Sequence, residues 1–369
     1  MSKRSNKSSN KANAELMLVA WELTRSCNLA CSHCRASSEK GPYPGELTTE
    51  ESFTLLEDIS RFSSPIMILT GGEPLLRPDI LDIAKRGTEL GLRMVLATNG
   101  TLLDSKKALE LKGAGIKRIS ISLDGKDEGS HDNLRGVPGA FKGALSGVEC
   151  TRGAGLPFQI NTTITKRNAG ELKEIEALVV RLGAHAHHLF LLVPTGRGRD
   201  IAHESLDKGE YEKLLTEIVH YERRAGYDVK VTCAPQYMRV KRELMEKDGV
   251  GFDAPENSSH GLSASTRGCL GGISFLFISH NGIAQPCGYL EVEAGNIRER
   301  PIREVWDESH LFNRLRDFSL LTGKCGVCEY IDICGGCRAR ALHHSGDIMG
   351  SEPLCPYVPK KNKKGVKIA

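Results

Sequence analysis

Ser26-Cys27-Asn28-Leu29-Ala30-Cys31-Ser32-His33-Cys34-Arg35 follows directly on the apolar, strand-like stretch Leu18-Val19-Ala20-Trp21-Glu22-Leu23-Thr24. The three thiols, at CxxxCxxC spacing, can hold three corners of a [4Fe–4S] cube and leave the fourth iron without a protein ligand. An open iron suits chemistry, whereas a cube with four thiolates suits electron storage. A zinc knuckle or a redox CxxC has similar spacing. Structural zinc takes four ligands, however, and no fourth Cys or His lies at suitable spacing beyond His33.

Outward from this loop, the chain to about Cys233 alternates β-branched runs with amphipathic stretches. Strands are expected at Leu18–Thr24, Pro65–Leu69, Leu92–Ala97, Ile116–Leu123, Phe158–Thr163 and Ala186–Val193. Leu172, Ile175, Leu178, Val179 and Leu182 recur at helical spacing, as do Tyr211, Leu214, Leu215, Ile218 and Val219. Asp104 suits a helix N-cap, and Pro78 suits the first turn of another helix. Successive βα units require parallel strands with helical crossovers, in a doubly wound sheet or in a complete or partial barrel. The polar motifs choose one face. Cys27–Cys34 follows the first strand, Gly71-Gly72-Glu73-Pro74 the second and Thr98-Asn99-Gly100 the third, while Ser122-Leu123-Asp124-Gly125 ends the fourth. Strand C-termini are where α/β barrels gather active sites.

With CxxxCxxC and Gly71-Gly72-Glu73-Pro74 in place, the chain resembles the radical S-adenosylmethionine (SAM) enzymes. The resemblance implies an α/β fold, a partial (β/α)6 TIM-like barrel. It also implies SAM chelated on the open iron of the Cys27, Cys31, Cys34 cluster and cleaved to a 5′-deoxyadenosyl radical. Glycines permit close backbone approach, and Glu73 can accept from an ammonium group. By resemblance, Gly71, Gly72 and Glu73 hold the methionyl amine of SAM. Ser120, Ser122 and Asp124 alternate on one strand face, which in the family meets the ribose and methionyl part of SAM. Asn161 and Thr163 carry a similar expectation, or are polar groups in a loop. Arg135, in His131-Asp-Asn-Leu-Arg-Gly136, resembles an arginine that pairs with the SAM carboxylate.

The remaining cysteines gather near the C-terminus. Cys269, Cys287, Cys325, Cys328, Cys334, Cys337 and Cys355 resemble the SPASM extension of that family. The resemblance implies an auxiliary [4Fe–4S] cluster on Cys325, Cys328, Cys334 and Cys355. The step Cys334-Gly-Gly-Cys337 is one residue short of the family spacing. Cys269, Cys287 and Cys337 therefore hold a second cluster lacking its fourth cysteine, a cluster open to substrate, or none. Four thiolates at CxxC spacing suit zinc as well. Cys150 and Cys233 stand alone and read as core thiols.

Five further stretches resemble the tetrapyrrole branch of the family, and within it the haem synthases of the siroheme-dependent pathway. They are Leu18–Cys27, His33–Ala36, Val193-Pro-Thr-Gly-Arg-Gly-Arg199, Pro286-Cys-Gly-Tyr-Leu290 and Gly323–Tyr330 with Cys334–Arg340. The implied reaction is oxidative decarboxylation of two propionates of iron-coproporphyrin III to the vinyls of haem b. An iron-porphyrin substrate and an electron donor are the implied partners. Arg197 and Arg199 are either carboxylate clamps or solvated loop arginines. One of His185, His187 and His188 either ligates the porphyrin iron or is structural. Competing readings are a didecarboxysiroheme-processing relative, a SPASM peptide maturase, an iron–sulfur electron carrier and a zinc-binding interaction protein.

Composition narrows the setting. The net charge is +4, with much of the excess at Lys3–Lys11 and Lys360–Lys367. Those ends read as solvated tails, so no nucleic-acid partner is expected. The N-terminal tail lacks the apolar core of a signal peptide, and no apolar run approaches the ~20 residues of a membrane span. Clustered thiols among twelve cysteines point to metal in a reducing, cytoplasmic compartment. The expected organisation is a basic tail (1–15), the barrel (16–233), a linker (234–268), the auxiliary domain (269–358) and a second tail (359–369).

Overall fold

The computed structural model describes residues 14–249 and 267–360. Most of both basic tails and about half of the linker lie outside the described residues. Strands β1 (Leu18–Thr24), β2 (Ile66–Gly71), β3 (Arg93–Thr98), β4 (Ile119–Ser122), β5 (Phe158–Ile164), β6 (Ala186–Leu191) and β7 (Asp228–Thr232) follow in chain order. All pair in parallel with their neighbours. Helices α1 (Thr49–Ser60), α2 (Ile80–Glu89), α3 (Ser105–Gly113), α4 (Glu128–Arg135), α5 (Ala140–Gly153), α6 (Leu172–Leu182) and α7 (Lys208–Arg224) make the crossovers. The α/β partial barrel is borne out, with a seventh strand.

The C-terminal segment does not stand apart. Strand β8 (Phe275–Ile278) pairs in parallel with β1, and β9 (Ile283–Gln285) and β10 (Gly295–Asn296) extend it antiparallel. One ten-stranded sheet results, in the order β10-β9-β8-β1-β2-β3-β4-β5-β6-β7. The first cysteine loop thus leaves a strand hydrogen-bonded on both sides. Helix α8 (Gln236–Lys247) follows β7, and α9 (Ile302–Glu308), α10 (His310–Arg316), α11 (Gly323–Val327) and α12 (Arg338–Ser345) complete the chain.

Local chemistry explains the element ends. Asp104 caps α3 by accepting from the Lys107 N–H. Pro78 falls outside α2, whose N-cap is Asp79. The Asp79 carboxylate is taken by Arg77 at 2.6 Å and Thr49 at 2.6 Å, so it leaves the first turn uncapped.

Burial along the strands locates the barrel interior. Met67, Leu69, Met94, Leu96, Ile119, Ile121, Ile160, Leu189 and Leu191 face the helices and are fully or almost fully buried. Each such side chain gains about 1.5–3 kcal/mol from leaving water. Their alternates toward the barrel axis, Ile68, Thr70, Val95, Ala97, Ser122, Asn161, His188 and Lys230, stay partly accessible. In a half-buried sheet the accessible face faces solvent. Here it faces inward, as in a barrel that keeps internal space.

Candidate active site

The Cys27–Cys34 loop is fixed by its neighbours' backbones. Cys27 N–H donates to Glu39 O at 2.8 Å, and Ala30 and Ser32 N–H donate to Arg135 O and Leu134 O at the end of α4. Arg197 N–H donates to Cys34 O at 3.0 Å, and its Nε to Cys31 O at 2.9 Å. Gly196 has φ +53°, and a Cβ there would lie 2.2 Å from Arg35 O. Both the left-handed backbone and the contact demand glycine. Cys27 and Cys31 are buried. The Leu29 N–H reaches Cys27 Sγ at 3.4 Å, and the Ser38 N–H reaches Cys34 Sγ at 3.4 Å. Burial pushes the Cys27 thiol up to about 11, so metal capture must displace its proton.

The Gly71-Gly72 pair packs on this loop. A Cβ on Gly72 would lie 2.4 Å from Ser26 O, and one on Gly71 2.3 Å from Thr24 O. Gly72 and Glu73 N–H donate to Thr24 O and Ser26 O, each at 2.8 Å. The space the glycines leave is thus filled by the cluster strand itself, a role the motif alone did not disclose. Glu73 is fully buried. Its carboxylate accepts from Thr98 Oγ1 at 2.7 Å, Asn99 N–H at 2.8 Å and Leu75 N–H at 3.0 Å. Burial nevertheless holds its pKa above the ordinary range. One acceptor direction remains on Oε2, and a cation there would favour the charged form.

Asp124 and Arg135 form a buried pair, Oδ2 to Nη2 at 2.6 Å. Arg135 Nη1 also lies 3.8 Å from Cys31 Sγ. Asp124 Oδ1 accepts the Thr163 N–H at 2.7 Å, and His33 Nε2 stands 3.3 Å from Oδ2. Burial opposes charge on Asp124, but Arg135, His33 and His131 overcome it and keep the carboxyl below its ordinary value. Burial brings His33 and His131 down to about 4; His131 Nδ1 accepts the Asp124 N–H at 3.0 Å. Arg135 Nε and Arg197 Nη2 are buried without a hydrogen-bond partner. Such donors beside a cysteine loop suit an anionic ligand.

Inside the barrel, register aligns Ser122, Asn161, His188 and Lys230 across β4 to β7. His188 Nδ1 meets Gln159 Nε2 at 3.0 Å, and that amide donates on to Asn161 Oδ1 at 3.0 Å. Arg118 bears electrostatically on both His188 and Lys230. His187 points the other way, between Thr162 Oγ1 at 2.9 Å and Tyr221 Oη at 3.0 Å, and His185 packs edge-on against Phe158. Lys230 was missed by sequence reading because β7 was.

Arg197 spends Nε and Nη1 on the carbonyls of Cys31 and Ser38, so it acts as a clamp on the loop. Arg199 is solvent-exposed, 3.8 Å from Glu291.

Far along the chain, Cys325, Cys328, Cys334 and Cys355 line one cavity with Arg239, Lys324 and Glu352. Backbone N–H groups point at these sulfurs: Glu352 to Cys325 and Gly336 to Cys334, each at 3.4 Å, Tyr330 to Cys328 and Tyr357 to Cys355. Such donors favour thiolate. Among the described residues no three His, Cys, Asp or Glu side chains close on the volume of a single ion.

Comparison with known proteins fits this geometry. The chain matches the Radical SAM superfamily over residues 21–179 and the SPASM iron–sulfur cluster-binding domain over residues 269–338. It is 47% identical to the AdoMet-dependent heme synthase of Nitratidesulfovibrio vulgaris, over 93% of each chain. It is 30% identical to the Fe-coproporphyrin III synthase of Methanosarcina barkeri, over 93% of this chain and 88% of that protein. Among solved structures, SuiB of Streptococcus suis bound to S-adenosylmethionine shares the fold, with TM-score 0.72 at 16% identity over 93% of this chain and 78% of that one. The chain is a radical SAM enzyme with a SPASM domain, a protein of S-adenosylmethionine and iron–sulfur clusters, and it belongs to the family of the AdoMet-dependent heme synthases.

Proposed function

We propose that this enzyme converts two propionates of iron-coproporphyrin III into vinyls, forming haem b. The observation that carries the reading is the near full-length similarity to a protein named AdoMet-dependent heme synthase. The barrel interior supports it: His188, Lys230 and Arg118 offer polar and cationic partners to a carboxylate-rich ring. Each propionate gives up one hydrogen atom, one electron and CO2 to become a vinyl. When bound, SAM and the [4Fe–4S] cluster supply the 5′-deoxyadenosyl radical that takes the hydrogen, and an auxiliary cluster supplies an acceptor for the electron.

The protein's own part is placement. In this reading Cys27, Cys31 and Cys34 hold the first cluster, Glu73 takes the SAM ammonium, and Arg135 takes its carboxylate while Asp124 holds the guanidinium in position. Ser122, Asn161 and Thr163 line the ribose and methionyl side. Cys325, Cys328, Cys334 and Cys355 hold an auxiliary cluster. Residues 16–233 act as the SAM-cleaving unit and 269–358 as the auxiliary unit. No described helix is long and apolar enough to cross a membrane, and we place the enzyme in the reducing cytoplasm with a separate electron donor.

The test is anaerobic incubation of reconstituted enzyme with SAM, a reductant and iron-coproporphyrin III, read by mass spectrometry. Loss of CO2 and two hydrogens from each of two propionic acids, with matching 5′-deoxyadenosine, is expected. Deoxyadenosine without a porphyrin product would sink the substrate and leave the radical chemistry standing. Didecarboxysiroheme is then the next substrate, given the similarity to an Fe-coproporphyrin III synthase.

A further inference from the structure

Cys233 lacks the spacing of any cysteine motif, yet the fold brings it to three others. It directly follows β7, where its carbonyl accepts from Arg340 Nη2 and, at 3.4 Å, from Tyr211 Oη. Arg340 lies one helical turn after Cys337 in α12. Cys233 and Cys287 pack in the same buried cluster as Cys337. Gly268, next to Cys269, sits so close to the segment after Cys233 that a Cβ on it would lie 2.5 Å from Pro235 Cα. A Cβ on Gly271 would in turn lie 3.7 Å from Cys287 Cβ. The sulfur of Cys233 also feels those of Cys337, Cys287 and Cys269 electrostatically.

The backbone at this position is unusual as well. Cys233 has φ +61°, and Ser37 is the one other non-glycine with positive φ among the described residues. A residue with a Cβ is held there only when its surroundings demand it. Arg340 supplies part of that demand. It is itself fixed by Glu352 at 3.0 Å, whose other oxygen accepts the Cys337 N–H at 2.8 Å. One buried network therefore sets Cys233 and Cys337 together. The Tyr289 and Leu290 N–H groups point at the Cys287 sulfur. Cys150, the other cysteine outside the motifs, has only Ser105 Oγ at 3.7 Å as a polar neighbour.

We infer that Cys233, from the barrel, is the fourth ligand of a second auxiliary iron–sulfur cluster completed by Cys269, Cys287 and Cys337. This inference builds on the reading of the C-terminal cysteines as cluster ligands. It supplies the ligand missing from the local motif, and with four thiolates the cluster has no iron open to substrate. The site then serves electron transfer. Its position fits that use, since Tyr289 is near enough to both Cys34 and Cys233 for each to bear on its hydroxyl.

The test uses the full chain with Cys27, Cys31 and Cys34 all changed to Ala, so that only auxiliary iron is counted. About eight irons per chain are expected after reconstitution, four per cluster. Adding Cys233→Ala is expected to remove about four or, where iron stays, to change the EPR signal of one reduced cluster. Adding Cys150→Ala should change neither, and circular dichroism checks that each variant is folded. Iron and EPR unchanged by Cys233→Ala would overturn the inference. So would a parent with about four irons, all lost on Cys355→Ala, although the reading of the first auxiliary site would then survive. No iron at all in the parent would overturn both.

Discussion

Cys27, Cys31 and Cys34 lie within eight residues, whereas Cys325, Cys328, Cys334 and Cys355 are spread over a stretch about four times as long. The short loop offers three thiols and is held from outside, by Arg197, by the end of α4 and by the Gly72 backbone. The long stretch offers four thiols around one cavity, and residues of its own stretch such as Gly336, Glu352 and Lys324 hold it, with Lys324 Nζ donating to Cys355 O at 2.7 Å. The three-thiol loop draws its rigidity from the barrel. The contrast teaches that the number of thiols and the origin of their support are linked.

The largest effect should separate the two regions outright. Cys27→Ala is expected to abolish 5′-deoxyadenosine formation and remove about four irons. Cys355→Ala should also lose about four irons and the vinyl product, yet continue to cleave SAM. If both variants stop SAM cleavage, the division between the regions is broken. Next in size is Arg197→Ala, which frees the carbonyls of Cys31 and Ser38. Deoxyadenosine formation and iron retention should drop about 10–100-fold, as for other groups that position metal ligands; unaltered iron retention would show that the loop holds itself. Lys230→Met removes a barrel cation without touching either cysteine region. It should raise KM for iron-coproporphyrin III about tenfold, the loss of one charge-assisted contact, with SAM cleavage intact. An unchanged KM would remove Lys230 from the substrate site.

The smallest effect concerns acid. His131 is buried and neutral, its pKa brought from 6.5 to about 4, first by burial and then by Arg135. The unfolded chain takes up this proton before the folded one does. Stability is therefore intact above pH 6.5 and falls as pH drops toward 4, by about 1.4 kcal/mol per unit. His131→Gln, which can still accept the Asp124 N–H, should flatten the dependence of Tm on pH over that window. Parallel profiles for parent and variant would mean that another group takes up the proton.

How far the sequence went depended on whether a signal was local. β1 is found at Leu18–Thr24 as expected, because its apolar run is bounded by Arg25 and the cysteine loop. β7 escaped notice, since Asp228 and Lys230 put charges at alternate positions of a short strand. Those charges face the barrel interior rather than bulk water, which no single-strand pattern reveals. Glu73 and Asp124 were singled out from motifs, but that Asp124 holds Arg135 needed the fold. Arg197 read as either a substrate clamp or a solvated loop arginine, because a glycine-flanked arginine gives no sign of which carbonyls it will meet. Cys233 read as a core thiol for the same reason: its three neighbours are 36 or more residues away in sequence.

The place of β8 beside β1 has a consequence for synthesis of the chain. About 250 residues separate the two strands, on the order of ten to fifty seconds of translation at ~5–20 residues per second. Through that interval the strand leading into the first cysteine loop has a bare hydrogen-bonding edge, of the kind that invites pairing with other chains. Of the C-terminal cysteines, Cys269 alone leaves the ribosome before the strand that completes the first site's support. A nascent chain stalled before Ile278 would carry the three thiols of the loop on an unguarded edge.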